Sequence, residues 1–67
     1  MMEKSLTPRE LEVVQLISSG FTDREIAKLL SISSMTVNTH RKNILRKLAL
    51  KNTALLIRYA IENRLVS

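Results

Sequence analysis

Residues 21–37 read FTDREIAKLLSISSMTV and hold two helix starts in close succession. A Ser or Thr ahead of a helix accepts a hydrogen bond from an unpaired backbone N–H, and a Glu three residues later bonds back to the cap residue. Thr22 with Glu25 fits this pattern, and Ser33 fits it with Thr36 standing in for Glu. The stretch therefore predicts a short helix, a three-residue turn and a longer helix, which is the spacing of a helix-turn-helix.

The same start pattern recurs on both sides of this stretch. Thr7 with Glu10 forms a capping box, with Pro8 at the favoured first helical position, and Gly20 marks the end of that helix. Asn52 is a suitable cap for a last helix. The prediction is an all-α, four-helix bundle-like domain containing a helix-turn-helix, with helices at about 8–19, 23–30, 34–48 and 53–63. A plain helical bundle would have the same caps, so the helix-turn-helix prediction rests on the spacing between the second and third helix starts.

Length and composition restrict the class of protein. A chain of 67 residues is one domain, 1–67, whose residues 1–5 we expect to be a flexible start. It has no Cys, which excludes disulfides and Cys-based zinc sites, and no clustered ligands, so we expect no metal or other cofactor. No apolar run approaches the roughly 20 residues of a membrane span, and no signal peptide opens the chain. These features predict a cytoplasmic protein without a membrane partner.

Charge divides the chain into unlike halves. Residues 1–33 hold four basic and five acidic side chains, net −1, whereas residues 34–67 hold seven basic and one acidic, net +6. A basic half predicts a polyanionic partner, which is nucleic acid or, less often, an anionic membrane. Solubility alone is the alternative explanation.

The third helix has one apolar side and one cationic side when residues are placed at 100° steps. The core side carries Val37, Ile44, Leu45 and Leu48. The opposite side carries Met35, Thr39, Lys42 and Arg46, flanked by Asn38 and Asn43. There is no carboxylate between residues 26 and 61. A solvated polar face is the alternative, but the absence of acids favours a surface that meets phosphates.

Such a helix fits the major groove of double-stranded DNA. Asn38 suits an adenine edge, Lys42 or Arg46 a guanine edge, and the methyl of Thr39 a thymine methyl. Met35 either faces the groove or covers the edge of the core. Three flanking cations are better placed for phosphates: Arg41, Lys47 and Lys51. With only Phe21 and Tyr59 as aromatic residues, single-strand recognition by stacking is disfavoured.

The remaining candidates point away from catalysis. His40 is the only His, and its helical neighbours Thr36, Asn43 and Lys47 cannot complete a catalytic site, so no enzyme activity is expected. Glu10 is assigned to its capping box in preference to a contact with a basic residue of the third helix.

The fourth helix predicts a small dimer contact. Its stripe of Leu56, Ile57, Ala60 and Ile61 should face the core. Leu55 and Tyr59 lie off that stripe beside Arg58 and Glu62, where they form an apolar spot. Single exposed apolar residues are common on protein surfaces, so the alternative is that this spot binds nothing. The functional reading predicts a weak or DNA-dependent homodimer.

Residues 6–48, LTPRELEVVQLISSGFTDREIAKLLSISSMTVNTHRKNILRKL, together with LALKNTALLIRYAIENRLV to residue 66, resemble the LuxR-type (LuxR/FixJ or GerE-type) helix-turn-helix domain of bacterial transcription regulators. The resemblance implies four helices, the second and third of which bind DNA, and dimers joined through the fourth. It implies base contacts at Asn38, Thr39 and Lys42. It also implies proximity to the DNA backbone at Thr22, Thr36, His40 and Arg46 or Lys47.

Five positions depart from the family's pattern. Asn38 stands where many members have Lys, so base preference cannot be transferred. Asp23 replaces a common Asn and would repel a nearby phosphate. Thr53 replaces a frequent Arg. Ala49 and Arg64 replace glycines; if the backbone at Ala49 is left-handed, its Cβ costs roughly 1 kcal/mol.

These observations predict sequence-specific binding of double-stranded DNA by a bacterial transcription regulator, as a homodimer. A sigma-factor-like promoter-recognition helix-turn-helix is one alternative, and a protein-interaction module with a basic helix is another. Many members of the family carry a sensory or receiver domain ahead of this module, so the chain is either an effector domain or a small stand-alone regulator. RNA polymerase stays open as a further partner.

Overall fold

A computed structural model describes residues 6–65, which form four helices and no strand. The helices are α1 (Pro8–Ser18), α2 (Asp23–Leu30), α3 (Ser34–Lys47) and α4 (Thr53–Glu62). All four starts are as predicted, and the ends of α1, α3 and α4 fall one residue earlier because the predicted last residue is the C-cap. The predicted flexible start at residues 1–5 lies outside the described residues.

Side-chain caps open every helix. Thr7 Oγ1 accepts from the Glu10 N–H at 3.1 Å while Glu10 Oε1 accepts from the Thr7 N–H at 2.9 Å. Thr22 and Glu25 repeat this reciprocal box at 3.2 and 2.9 Å. α3 and α4 each have the simpler cap, in which the Ser33 hydroxyl and the Asn52 carbonyl oxygen accept a backbone N–H. Each such cap is worth about 1 kcal/mol.

One backbone motif closes every helix. A left-handed residue follows each helix, with φ of 96° at Gly20, 57° at Ser31, 56° at Ala49 and 57° at Arg64. The residue after it donates its N–H five residues back: Phe21 to Leu16, Ile32 to Ala27, Leu50 to Leu45 and Leu65 to Ala60, at 2.8–3.1 Å. This is the Schellman motif, whose apolar last residue folds back on the helix. The backbone at Ala49 is thus left-handed, which is the condition under which its Cβ is costly.

The core draws on all four helices. Its buried residues are Val13, Val14 and Ile17 of α1, Ile26 and Ala27 of α2, Val37 and Ile44 of α3, and Leu56 and Ala60 of α4. Half-buried apolar residues surround them, among them Leu30 and Ile32 at the turn between α2 and α3. Because α3 packs against each of the other helices through its apolar side, its opposite side is left facing outward.

One core prediction for α4 is wrong. Leu56 and Ala60 are fully buried and Ile57 is half-buried, but Ile61 is 60% exposed. At 100° per residue Ile61 lies at the margin of the buried stripe, and no element packs over that margin within residues 6–65.

Candidate nucleic-acid interface

The two predicted sides of α3 are present. Val37 and Ile44 have no exposed surface, and Leu45 and Leu48 are half-buried against the core. On the opposite side Met35 is 79% exposed, and Thr39, Lys42 and Arg46 are also exposed. Met35 therefore does not cover the core. We call this set, with the half-buried Asn38 beside it, the outer face of α3.

Within the outer face, Thr39 is constrained by its own helix. Its Oγ1 donates to the Met35 carbonyl oxygen at 3.1 Å. Ser and Thr inside helices commonly make this bond to the preceding turn. The hydroxyl proton is thus already engaged, so contacts of Thr39 with another molecule are left to its methyl and to the lone pairs of Oγ1.

On one flank of α3, Arg41 is paired with the first residue of α2. Its Nη1 donates to Asp23 Oδ1 at 3.1 Å, its Nη2 lies 3.0 Å from Oδ2, and both side chains are 27% exposed. The guanidinium thus contacts both carboxylate oxygens, one of them through a charge-assisted hydrogen bond. Asp23 also places a negative charge at the N-terminus of α2, where the helix dipole favours it.

On the other flank, Lys47 is paired with the first turn of α1. Its Nζ donates to Oε1 and Oε2 of Glu10 at 2.8 and 3.0 Å. Glu10 is almost wholly buried, whereas a third of Lys47 is exposed. Burial raises the pKa of the Glu10 carboxyl, but the hydrogen bonds from Lys47 and from the Thr7 backbone outweigh it, so the pKa of Glu10 lies below its ordinary value. Glu10 thus serves both the capping box and the contact that sequence analysis ranked second.

These two ion pairs divide the Lys and Arg side chains of α3 into two that bind a carboxylate and two that do not, among residues 6–65. Arg41 and Lys47, which sequence analysis placed among the phosphate contacts, are each held by a carboxylate of another helix. Lys42 and Arg46, on the outer face, have no carboxylate within salt-bridge distance among residues 6–65. The sequence carried a signal for this arrangement, since Glu10 and Asp23 both lie in first turns, but spacing alone could not bring them to α3.

The other predicted backbone contacts are spread around α3. The hydroxyls of Thr22 and Thr36 are engaged near helix starts, the first as a cap and the second at 2.9 Å from the Ser33 hydroxyl. His40 is half-buried and Lys51 is exposed. Two exposed cations of α2 were not predicted as contacts: Arg24 and Lys28, which line an open groove together with the start of α3. Their spacing of four residues, which places both on one side of α2, could have indicated a second cationic surface.

The predicted contact on α4 is a mixed surface. Leu55 is 37% exposed, Tyr59 is half-buried, and Arg58 Nε donates to Glu62 Oε2 at 3.2 Å. Together with the exposed Ile61, these side chains leave two apolar spots on either side of an ion pair that is itself exposed.

Other kinds of site were sought in the same residues. Among residues 6–65, no three His, Cys, Asp or Glu side chains lie close enough to hold a metal ion. None of the four helices is long and apolar enough to cross a membrane.

Known proteins are similar to this chain in sequence and in fold. The family model for bacterial regulatory proteins of the luxR family matches residues 4–60. The transcriptional regulatory protein MctR of Rhizobium johnstonii is 50% identical over 62 residues, which are 92% of this chain and 29% of MctR. The oxygen regulatory protein NreC of Staphylococcus aureus strain NCTC 8325 is 41% identical over 63 residues, 94% of this chain and 29% of NreC.

A solved structure extends the likeness to three dimensions. The response regulator ChrA of a heme-sensing two-component system superposes with a TM-score of 0.88 at 35% identity, over 97% of this chain and 32% of that one. The chain thus spans about a third of the length of the proteins it matches. The family's shared module binds DNA and is not an enzyme. The match over most of the chain, joined to the four-helix architecture, shows that the chain belongs to the luxR family of bacterial regulatory proteins and forms that family's DNA-binding helix-turn-helix domain.

Proposed function

We propose that this chain binds double-stranded DNA sequence-specifically, with α3 in the major groove, and that two copies bind two half-sites. The observation that carries the proposal is the outer face of α3. Apart from the half-buried Asn38 it is exposed, it contains no carboxylate, and it bears the two cations of α3 that have no carboxylate partner among residues 6–65. A helix has the diameter that the major groove admits, and its amide and cationic side chains match base edges there.

The proposed contacts are divided between base edges and phosphates by where the side chains lie on α3 and beside it. We assign base contacts to Met35, Asn38, Thr39 and Lys42. We assign phosphate contacts to Thr22, Thr36, His40, Arg46 and Lys51. Lys47 makes a weaker phosphate contact, because its ammonium already donates to Glu10. Phosphate contacts set affinity and register, and base contacts set sequence preference.

The dimer is assigned to α4, through Leu55 and Tyr59 with Arg58 and Glu62 at the rim. So small an apolar area is far below that of an obligate interface, so pairing depends on two copies being held side by side on DNA. The family and the relatives' names support a bacterial regulator that takes its input from a sensory or receiver domain, and they leave RNA polymerase open as a second partner.

Selection from a random duplex pool tests this function. The chain is immobilised, DNA is retained at moderate salt, and the enriched molecules are sequenced. We expect a two-fold motif whose half-sites have a fixed spacing. A variant with Lys42→Ala and Arg46→Ala serves as the matched control, because it removes both unpaired cations of α3 and leaves the core and caps intact.

The salt dependence of affinity separates the proposal from a protein-interaction module. Log K for DNA falls by about 0.9 per neutralised phosphate for each unit of log salt. A slope near zero, or equal affinity for enriched and scrambled duplexes, would refute sequence-specific DNA binding and leave an acidic protein surface as the partner to seek.

A further inference from the structure

The Asp23–Arg41 pair differs from the other ion pair that holds α3. Glu10 is nearly buried and also accepts from the Thr7 backbone, so its charge is needed inside the fold. Asp23 is more exposed, and within residues 6–65 its carboxylate accepts side-chain hydrogen bonds only from Arg41. The cap of α2 is already supplied by Thr22 and Glu25. Asp23 is therefore not required to start its helix.

Apart from the pair itself, Arg24 is the one charged side chain among the residues within 6–65 that line the groove beside it. Arg41 lies in an open groove at the N-terminus of α2, lined also by Thr22, Arg24 and Thr53. Arg24 is exposed and has no carboxylate partner among residues 6–65. The N-terminus of a helix adds a further partial positive charge. Without Asp23 this groove would hold two guanidinium groups beside the helix that enters the DNA, a combination that attracts phosphate of any sequence.

We propose that Asp23 withholds Arg41 from the DNA backbone and thereby limits how strongly the domain binds DNA irrespective of sequence. Asp23 acts through Arg41, so it is a positioning residue. The hydrogen bond from Nη1 and the close approach of Nη2 keep the guanidinium turned toward the carboxylate, and the carboxylate offsets its charge at short range. This inference rests on the proposed DNA-binding function.

Four proteins test it: the wild type, Asp23→Asn, Arg41→Gln and the double variant. Affinity for a random-sequence duplex is measured by fluorescence anisotropy from 50 to 200 mM salt. We expect Asp23→Asn to bind more tightly and to steepen the salt slope by about 0.9, the value of one more neutralised phosphate. Arg41→Gln should leave the slope of the wild type unchanged. In the Arg41→Gln background, the Asp23→Asn change should have no effect on the slope.

Glu12→Gln is the charge-matched control. It also removes one negative charge, but from an exposed pair with Arg9 on α1. We expect its slope to equal that of the wild type. Circular dichroism melting verifies that each variant is folded at the assay temperature, and Asp23→Ser replaces Asp23→Asn if the latter is not.

The outcomes are separable. An unchanged slope in Asp23→Asn overturns the proposal, and so does a change that persists in the Arg41→Gln background, because Asp23 would then repel phosphate directly. If the wild type itself binds no duplex, the proposed function fails first, and this inference fails with it.

Discussion

Three of the four left-handed helix ends are occupied by residues other than glycine. Ser31, Ala49 and Arg64 have φ near 57°, where a Cβ is crowded by the backbone. Ala49 is exposed, and its side chain takes part in no hydrogen bond that could offset this strain. Ala49 therefore carries backbone strain that a glycine at this position would not have.

Replacing Ala49 by Gly should stabilise the domain. We expect a gain of roughly 1 kcal/mol in the free energy of unfolding, since the relief of strain exceeds the added entropy of the unfolded chain. In a domain of this size that raises Tm by about 4–8 °C. Ala54→Gly, at an exposed position inside α4, is the matched control and should destabilise. Changes of the same sign in both variants would contradict the argument.

Glu10 makes stability depend on Lys47. Lys47→Met keeps the aliphatic stem but leaves a nearly buried carboxylate without its ammonium, so urea unfolding at pH 7 should show a loss of about 1–3 kcal/mol. Arg9→Met breaks an exposed pair and should cost well under 1 kcal/mol. Equal losses in the two variants would show that the Glu10–Lys47 pair contributes no more to the free energy of unfolding than an exposed pair does.

The pH dependence of the same pair has a definite sign. The pKa of Glu10 is lowered in the folded state, so its contribution is fully present above the ordinary carboxyl pKa and is lost as pH falls through the folded pKa. In Lys47→Met the hydrogen bonds and charge of Lys47 are lost, so the pKa of Glu10 is lowered less than in the wild type. The stability difference between wild type and variant should therefore shrink below about pH 4, measured by urea unfolding in a pH series.

At the scale of elements, α3 is tied by ion pairs to the first turns of two other helices. Asp23 of α2 binds Arg41, and Glu10 of α1 binds Lys47. This arrangement limits rotation of α3 about its own axis, and it reserves Lys42 and Arg46 for the outer face. A helix that must read base edges has to be presented in a fixed orientation.

Within α3, Lys42 and Lys47 should behave differently on DNA. Lys42→Ala should lose about 1–3 kcal/mol of binding free energy at the preferred site and relax preference at one base position. Lys47→Met, assayed below its melting temperature, should weaken preferred and scrambled duplexes alike and by less. Anisotropy titrations with both duplexes make the comparison. Identical profiles would mean that the assignment of base and phosphate contacts is wrong.

Helix starts were predictable because each is encoded within four residues, as in Thr22 to Glu25. The apolar side of α3 followed from its period. Three features were not predicted. The pairing of Arg41 and Lys47 depends on how helices far apart in sequence meet, and the exposure of Ile61 depends on which element covers the margin of α4. The left-handed backbone at Ser31 was missed because Ser is an unusual occupant of that conformation.

For the whole molecule, the proposed pairing of two copies on DNA has a direct test in solution. We expect a monomer in sedimentation equilibrium at micromolar concentration without DNA, and a two-to-one complex on a duplex with two half-sites. Leu55→Asp should abolish the cooperativity between half-sites and leave single half-site affinity nearly unchanged, because it alters only α4. A tight dimer without DNA, or unaltered cooperativity in Leu55→Asp, would place the contact elsewhere.

The helix boundaries of this domain are each set by hydrogen bonds that span no more than five residues. Within residues 6–65, no cap, ion pair or buried core position uses the side chains of Met35, Asn38, Thr39 and Lys42. Under the proposed function, the residues that fold α3 and the residues that read DNA are therefore different residues of one helix. Substitutions at these four positions would then change the preferred operator and leave the contacts that fold the domain in place.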